Sequence, residues 1–139
     1  MMKKKMIERV EIMSNTRHEI TYPLTIKPYV FVGTKPVAVL FGEERVEVKK
    51  WTQVYSVILK RCNDNPVHHE RLMYLRGKVA GKVRVFLSDS PDSMTRPLMI
   101  DDNLYGEVGY GSETMMHILV NHILTPARFD CSGIYIIIK

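Results

Sequence analysis

Ile134-Tyr135-Ile136-Ile137-Ile138 narrows the choice of fold more than any other stretch of this chain. Branching at Cβ restricts χ1 and favours extended backbone over helix. The run also has no polar face to turn toward water. It predicts a central strand, with a neighbour on each side and cover above and below.

The first third of the chain offers those neighbours. In His18 to Ile26, apolar residues fall at 20, 22, 24 and 26, a period of two. Pro23 lacks an N–H and marks this strand as an edge or a break. Residues 7–13 alternate less cleanly. A hairpin follows: Val37, Val39 and Phe41 alternate, Gly42-Glu43-Glu44 turns, and Val46 and Val48 alternate back.

At Trp51 the period changes. Trp51, Val54, Tyr55, Ile58 and Cys62 recur at helical spacing and make one apolar stripe. Lys60 and Arg61 fall in its last turn, where cations suit the helix dipole. Asn65-Pro66 reads as an N-cap followed by proline at the first helical position of a shorter helix, which stops near Gly77. Val83 to Leu87 predicts a short buried strand, residues 88–103 are turn-rich, and Leu104 to Tyr110 predicts a strand broken by glycines. Ser112 then caps a third helix, with Met115, Met116, Leu119, Val120 and Ile123 on its apolar face and Pro126 beyond its end. The expected fold is α+β, a single domain over residues 1–139, mostly antiparallel sheet against two or three helices.

Length agrees, since 139 residues suit one domain that buries its core without staples. No apolar run reaches the roughly 18 residues of a spanning helix. The basic start, Met1 to Met6, leads into no long apolar core or small-residue cleavage site, so no secretory leader is expected. Cys62 lies on an apolar helix face and Cys131 precedes an apolar strand. Both read as buried free thiols, which favours a reducing, cytoplasmic setting.

The net charge of +5 is uneven. Residues 1–84 hold 17 Lys/Arg and 8 Asp/Glu, whereas residues 85–139 hold 3 and 7. The densest basic segment is "RGKVAGKVRVFLSDSPD", residues 76–92. It is not a phosphate-binding P-loop. Only three residues separate Gly77 from Gly81, Val83 follows Lys82 where a hydroxyl is needed, and a strand follows where the motif opens a helix. A basic turn remains, with Arg76, Lys78, Lys82 and Arg84 uninterrupted by any acid. Phosphates bind such clusters through Coulomb attraction and charge-assisted hydrogen bonds. Lys49 and Lys50 widen the patch if the fold brings them near.

Other constellations are weaker. Gly106-Glu107-Val108-Gly109 has the spacing of a nucleic-acid clamp, but Glu107 and Glu113 would repel phosphate, so a strand-to-helix turn is the simpler reading. Asp89, Asp92, Asp101, Asp102 and Glu107 form an acidic segment. A metal-dependent nuclease needs converging carboxylates, and Asp101, Asp102 and Glu107 are its candidates here. His68 and His69 diverge by about 100° on a helix, and His122, five residues from His117, points elsewhere. Glu113, His117 and Asn121 share a helix face as surface pairs. No nucleophile elbow occurs. No metal or cofactor is expected.

Two segments together, "FGEERVEVKKWTQVYSVIL" and "LYGEVGYGSETMMHILVNHIL" with the terminal "IYIIIK", resemble a loosely defined, uncharacterised α+β module of bacterial and phage proteins. That module occurs alone or appended to proteins of restriction and mobile-element systems. The resemblance covers residues 36–139 and rests on structural positions: Val46, Val48, Trp51, Leu104, Tyr105 and Leu119. It implies a prokaryotic or phage cytoplasmic setting and a link to DNA metabolism or defence, and carries over no catalytic residue. The leading expectation is a non-catalytic module that contacts nucleic acid through Arg76, Lys78, Lys82 and Arg84, supported by Lys49 and Lys50. The alternatives are a protein-interaction accessory or inhibitor of a defence or mobile-element complex, and a degenerate metal-dependent nuclease.

Overall fold

A computed structural model describes residues 18–78 and 85–139. Among these residues the chain forms two antiparallel sheets and three helices, an α+β arrangement. Strands β1 (Ile20–Pro23), β2 (Pro36–Phe41), β3 (Glu44–Glu47) and β7 (Ile134–Ile138) make the first sheet, in the order β1-β7-β2-β3. Strands β4 (Leu87–Ser88), β5 (Pro97–Asp101) and β6 (Leu104–Glu107) make the second, in the order β4-β6-β5.

The isoleucine run is the interior strand that its composition requires. Ile136 pairs with Tyr22 on one side and Val39 on the other. Ile134, Ile136 and Ile138 enter the core. Pro23, with no N–H to donate, sits on edge strand β1 opposite Tyr135. The β2–β3 hairpin closes at Phe41 and Glu44, leaving Gly42 and Glu43 as a two-residue turn. Gly42 has φ 62°, the left-handed backbone that hairpin turns of this length need and that glycine adopts without strain.

Helix α1 (Trp51–Asp64) carries the predicted stripe. Val54, Tyr55, Ile58, Leu59 and Cys62 are buried, and the helix packs on both β2 and β5, so one apolar face serves two sheets. Its start is tied by Gln53, whose Oε1 accepts from the N–H groups of Lys49 (2.6 Å) and Lys50 (3.1 Å). Trp51 donates its indole N–H to the Thr34 carbonyl at 3.1 Å and packs on Phe31, which is fully buried in a 3₁₀ turn at Pro28–Phe31. Arg61 pairs with Glu44 at 2.8 Å and lies over the Phe41 ring at 4.0 Å, joining the helix to the hairpin.

Asn65 ends α1 and caps α2 (Pro66–Leu75). Its Oδ1 accepts from the N–H groups of Val67 (2.9 Å) and His68 (3.3 Å), and Pro66 occupies the first helical position. The helix stops before Gly77, whose φ of 74° is the left-handed conformation of helix ends.

Three expectations are extended or corrected. Residues 88–103 are turn-rich as expected, with turns and bends through 89–96 and at 102–103, but are not turns throughout. They contain β5, whose "PLMID" alternates weakly because Met99 faces solvent, and which pairs with β6 across the turn at Asp102-Asn103. The glycines do not break β6. Gly106 pairs with both Leu87 and Leu98 in the middle of the second sheet. Ser112 is not the cap of the third helix but its first residue, following Gly111, and its hydroxyl donates to the Phe31 carbonyl at 3.1 Å.

That helix, α3 (Ser112–His117), does not continue as α. From Ile118 to Leu124 it widens into a π-helical segment, in which Thr125 N–H reaches back five residues to the Val120 carbonyl at 3.0 Å. Ile118, Leu119, Ile123 and Leu124 are buried there. The readings at residues 7–13, and at Val83 and Arg84 in the predicted fourth strand, lie outside the described residues.

Candidate functional site

The basic turn begins where α2 ends. Arg76 is turned inward: Nε donates to the Met73 carbonyl at 2.9 Å and Nη1 to the Asn103 carbonyl at 2.8 Å. It therefore satisfies a helix-end carbonyl and fastens the β5–β6 turn to α2. Lys78 faces solvent, with its ammonium 4.4 Å from the centre of the Tyr74 ring. Tyr74 is itself 68% exposed, unusual for a large aromatic. A hollow of about 280 Å³ between α2 and β4 is lined by Met73, Tyr74, Arg76, Gly77, Lys78, Ser88 and Asp89. Asp89 offsets one of its two cations.

Lys82 and Arg84 lie outside the described residues. Lys49 and Lys50 do not line the hollow of Arg76 and Lys78. Lys49 borders a separate hollow of about 330 Å³ with Lys35, Val37, Glu47 and Lys139. Strand pairing brings Lys35 and Lys139 there, through reciprocal backbone hydrogen bonds of 3.0 and 2.9 Å. Neither lysine stands out in the sequence. Tyr74 was missed for another reason: a tyrosine in an amphipathic helix reads as core until the packing of its neighbours is known.

The acidic candidates do not converge. Asp101 and Glu107 sit at opposite ends of the β5–β6 hairpin, separated by about 10 Å of strand. Glu107 is 1% exposed, and its carboxylate accepts from the N–H groups of Thr95 (2.8 Å), Arg96 (2.9 Å) and Gly109 (2.9 Å). Asp101 accepts from the Asn63 amide at 2.8 Å and from Asp102 N–H at 2.7 Å. His69 stands 3.8 Å from Asp101, and its Nδ1 contacts Asn63 Oδ1 at 2.7 Å. Those hydrogen bonds, the Asn63 contact first, hold the Asp101 carboxyl below its ordinary value. Among the described residues no group of three or more His, Cys, Asp or Glu side chains could hold a metal ion.

Both thiols are free. Burial pushes Cys62 up to about 12, with Cys131 nearby adding to the shift, so Cys62 stays a neutral core group at physiological pH. Burial also raises the half-buried Cys131. Tyr55 is fully buried, its hydroxyl has no hydrogen-bond partner among the described residues, and burial together with Glu107 pushes its pKa up. It is a core residue, as its place in the stripe predicts.

The π segment brings together two side chains that α-helical spacing separates. The rings of His117 and His122 lie 5.3 Å apart, centre to centre, at 75°. His117 Nδ1 meets Asn121 Nδ2 at 3.1 Å, and His122 packs on Phe86 at 5.6 Å. The expectation that His122 points away from His117 assumed α winding and is corrected.

Set against known protein families, curated proteins and solved structures, the chain matches none of them. The fold defines the class: an α+β domain whose two antiparallel sheets share one central helix. Among the described residues no helix is long and apolar enough to cross a membrane.

Proposed function

We propose that this domain is a non-catalytic binding module that contacts nucleic acid through the C-terminal end of α2 and the basic turn after it. The observation that carries this reading is the exposed Tyr74 ring with the Lys78 ammonium over it, since an aromatic face beside a cation suits a base stacked next to its phosphate. Lys82 and Arg84 follow in sequence and add positive charge to the same segment. Arg76 acts mainly by holding the turn in place. Lys49, with Lys35 and Lys139, forms a second basic surface for a longer strand. The bacterial or phage setting, and a place in mobile-element or restriction systems, belong to the same proposal.

Labelled mixed-sequence single-stranded DNA and RNA, titrated with the protein at low salt and followed by anisotropy, test it. Binding at micromolar protein is expected, and it weakens steeply as salt rises. Tyr74→Ala and Lys78→Ala each reduce it several-fold, and neutralising Lys82 and Arg84 reduces it further. Absence of binding, or binding indifferent to all four changes, overturns the reading.

A protein partner is the second reading. It rests on Val67 and Tyr74, both more than half exposed, which border a hollow of about 580 Å³ with Glu70, Arg71, Leu75 and Pro126. Retention of one specific protein from nuclease-treated lysate, lost in Val67→Asp, favours it over nucleic acid. The nuclease reading finds no support in carboxylates at opposite ends of a hairpin.

A further inference from the structure

The His117–His122 rings meet in a T-shaped contact whose spacing also suits two ligands on one metal ion. In an α-helix, side chains five apart diverge by about 140°. The π turn cancels that divergence, and π segments recur at functional sites. A zinc–nitrogen bond of about 2.0–2.1 Å puts two imidazole centres about 5 Å apart when both bind one tetrahedral ion. The observed separation is 5.3 Å, with the rings turned 75° to each other. Both histidines are exposed, so an ion reaches them from solvent. We propose that His117 and His122 chelate a divalent late transition ion of the zinc–copper class on the outer face of the π segment.

Neighbouring groups suit the role. Asn121 lies 3.1 Å from His117 Nδ1. The same heavy-atom distance holds with the amide turned so that Oδ1 accepts from Nδ1–H, because amide orientation is an assignment. That arrangement leaves the Nε2 lone pair for the metal, the usual relation between a ligating histidine and its outer hydrogen bond. Phe86 lies against the His122 ring at 5.6 Å and restricts its rotation. Water completes the coordination, since no third His, Cys, Asp or Glu joins the pair among the described residues. Two nitrogens and water give affinity in the micromolar range, stronger for copper than for zinc.

The test is calorimetric titration of the intact, tag-free chain with Zn²⁺ and, separately, Cu²⁺. One ion per chain is expected, with copper the tighter. His117→Ala and His122→Ala each weaken binding at least tenfold, whereas His69→Ala leaves it unchanged. Asn121→Ala weakens it a few-fold, because it acts through His117. Ring-proton NMR signals of His117 and His122 broaden together on substoichiometric Cu²⁺. The side chains of His117, Asn121 and His122 are exposed and that of His69 is half-buried, and unchanged circular dichroism checks that each variant folds. No binding up to 100-fold excess over about 1 µM protein, or binding that survives both histidine changes, overturns the proposal.

Discussion

The two ends of the β5–β6 hairpin carry the same chemical group and treat it in opposite ways. At the turn, Asp101 is partly exposed and shares its carboxylate with Asn63, Asp102 and the edge of His69. At the open end, Glu107 is buried and holds three backbone N–H groups. Beside it, Gly106 lies against the Tyr55 ring of α1. Two carboxylates six residues apart in sequence thus belong to different environments. One is a surface polar cluster, and the other is the internal fastening of a loop to a sheet.

That contrast breaks most visibly at Glu107. Glu107→Ala removes the buried carboxylate that pairs three backbone N–H groups, and a hydrogen bond to a charged group is worth about 1.5–3 kcal/mol. The summed loss, about 3 kcal/mol or more, is the largest expected. Urea unfolding measures it, and a loss under about 1 kcal/mol would show that the loop finds other acceptors.

Gly106→Ala comes next. An added Cβ would lie 2.2 Å from Tyr55 Oη and 2.9 Å from two ring carbons, and the fully buried ring has no room to withdraw. Overpacking of this kind costs about 1–3 kcal/mol. Tyr55→Phe in the same chain should return part of it, because the nearest clashing atom is gone, and the double-mutant cycle reads that coupling directly.

Tyr55→Phe alone sharpens the comparison from the other side. The hydroxyl is buried with no hydrogen-bond partner among the described residues, so its removal should raise stability by about 1 kcal/mol. A loss of similar size would reveal a bond from that hydroxyl in solution.

The smallest effect belongs to Asp101. Its folded pKa lies below the ordinary 3.8, so its contribution is present above that value and is lost as pH falls through the folded pKa. Asp101→Asn should slightly flatten the acid limb of Tm measured from about pH 5 down to about pH 2. Glu107→Gln should disturb stability at every pH, and similar profiles for the two changes would erase the distinction drawn here.

Much of the fold was legible because it rests on local pattern. The helical stripe of α1, the Asn65-Pro66 cap, the Gly42 turn and the interior isoleucine strand each follow from spacing and side-chain shape. Strand β5 was not legible. Met99 stays exposed, and only pairing with β6 makes residues 97–101 extended. The π segment was hidden for a related reason. Met115, Met116, Leu119 and Ile123 look apolar at helical spacing under either winding, and the packing of the closing turns selects the wider one. The candidate site was legible in charge and not in geometry. Six cations stood out in sequence, yet Arg76 turns to two carbonyls and Lys49 faces another hollow.

Taken alone, the amino-acid order determined most of where the chain is extended or helical, β5 and the π winding excepted, and which stretch must be interior, because those outcomes depend on neighbours within a few residues. Tertiary structure decided which charges meet, that Glu107 fastens a loop, that Tyr74 lies open beneath Lys78, and that His117 and His122 face one another. Each of those depends on strand register, burial or helix winding, and these are set by contacts between segments far apart in the chain.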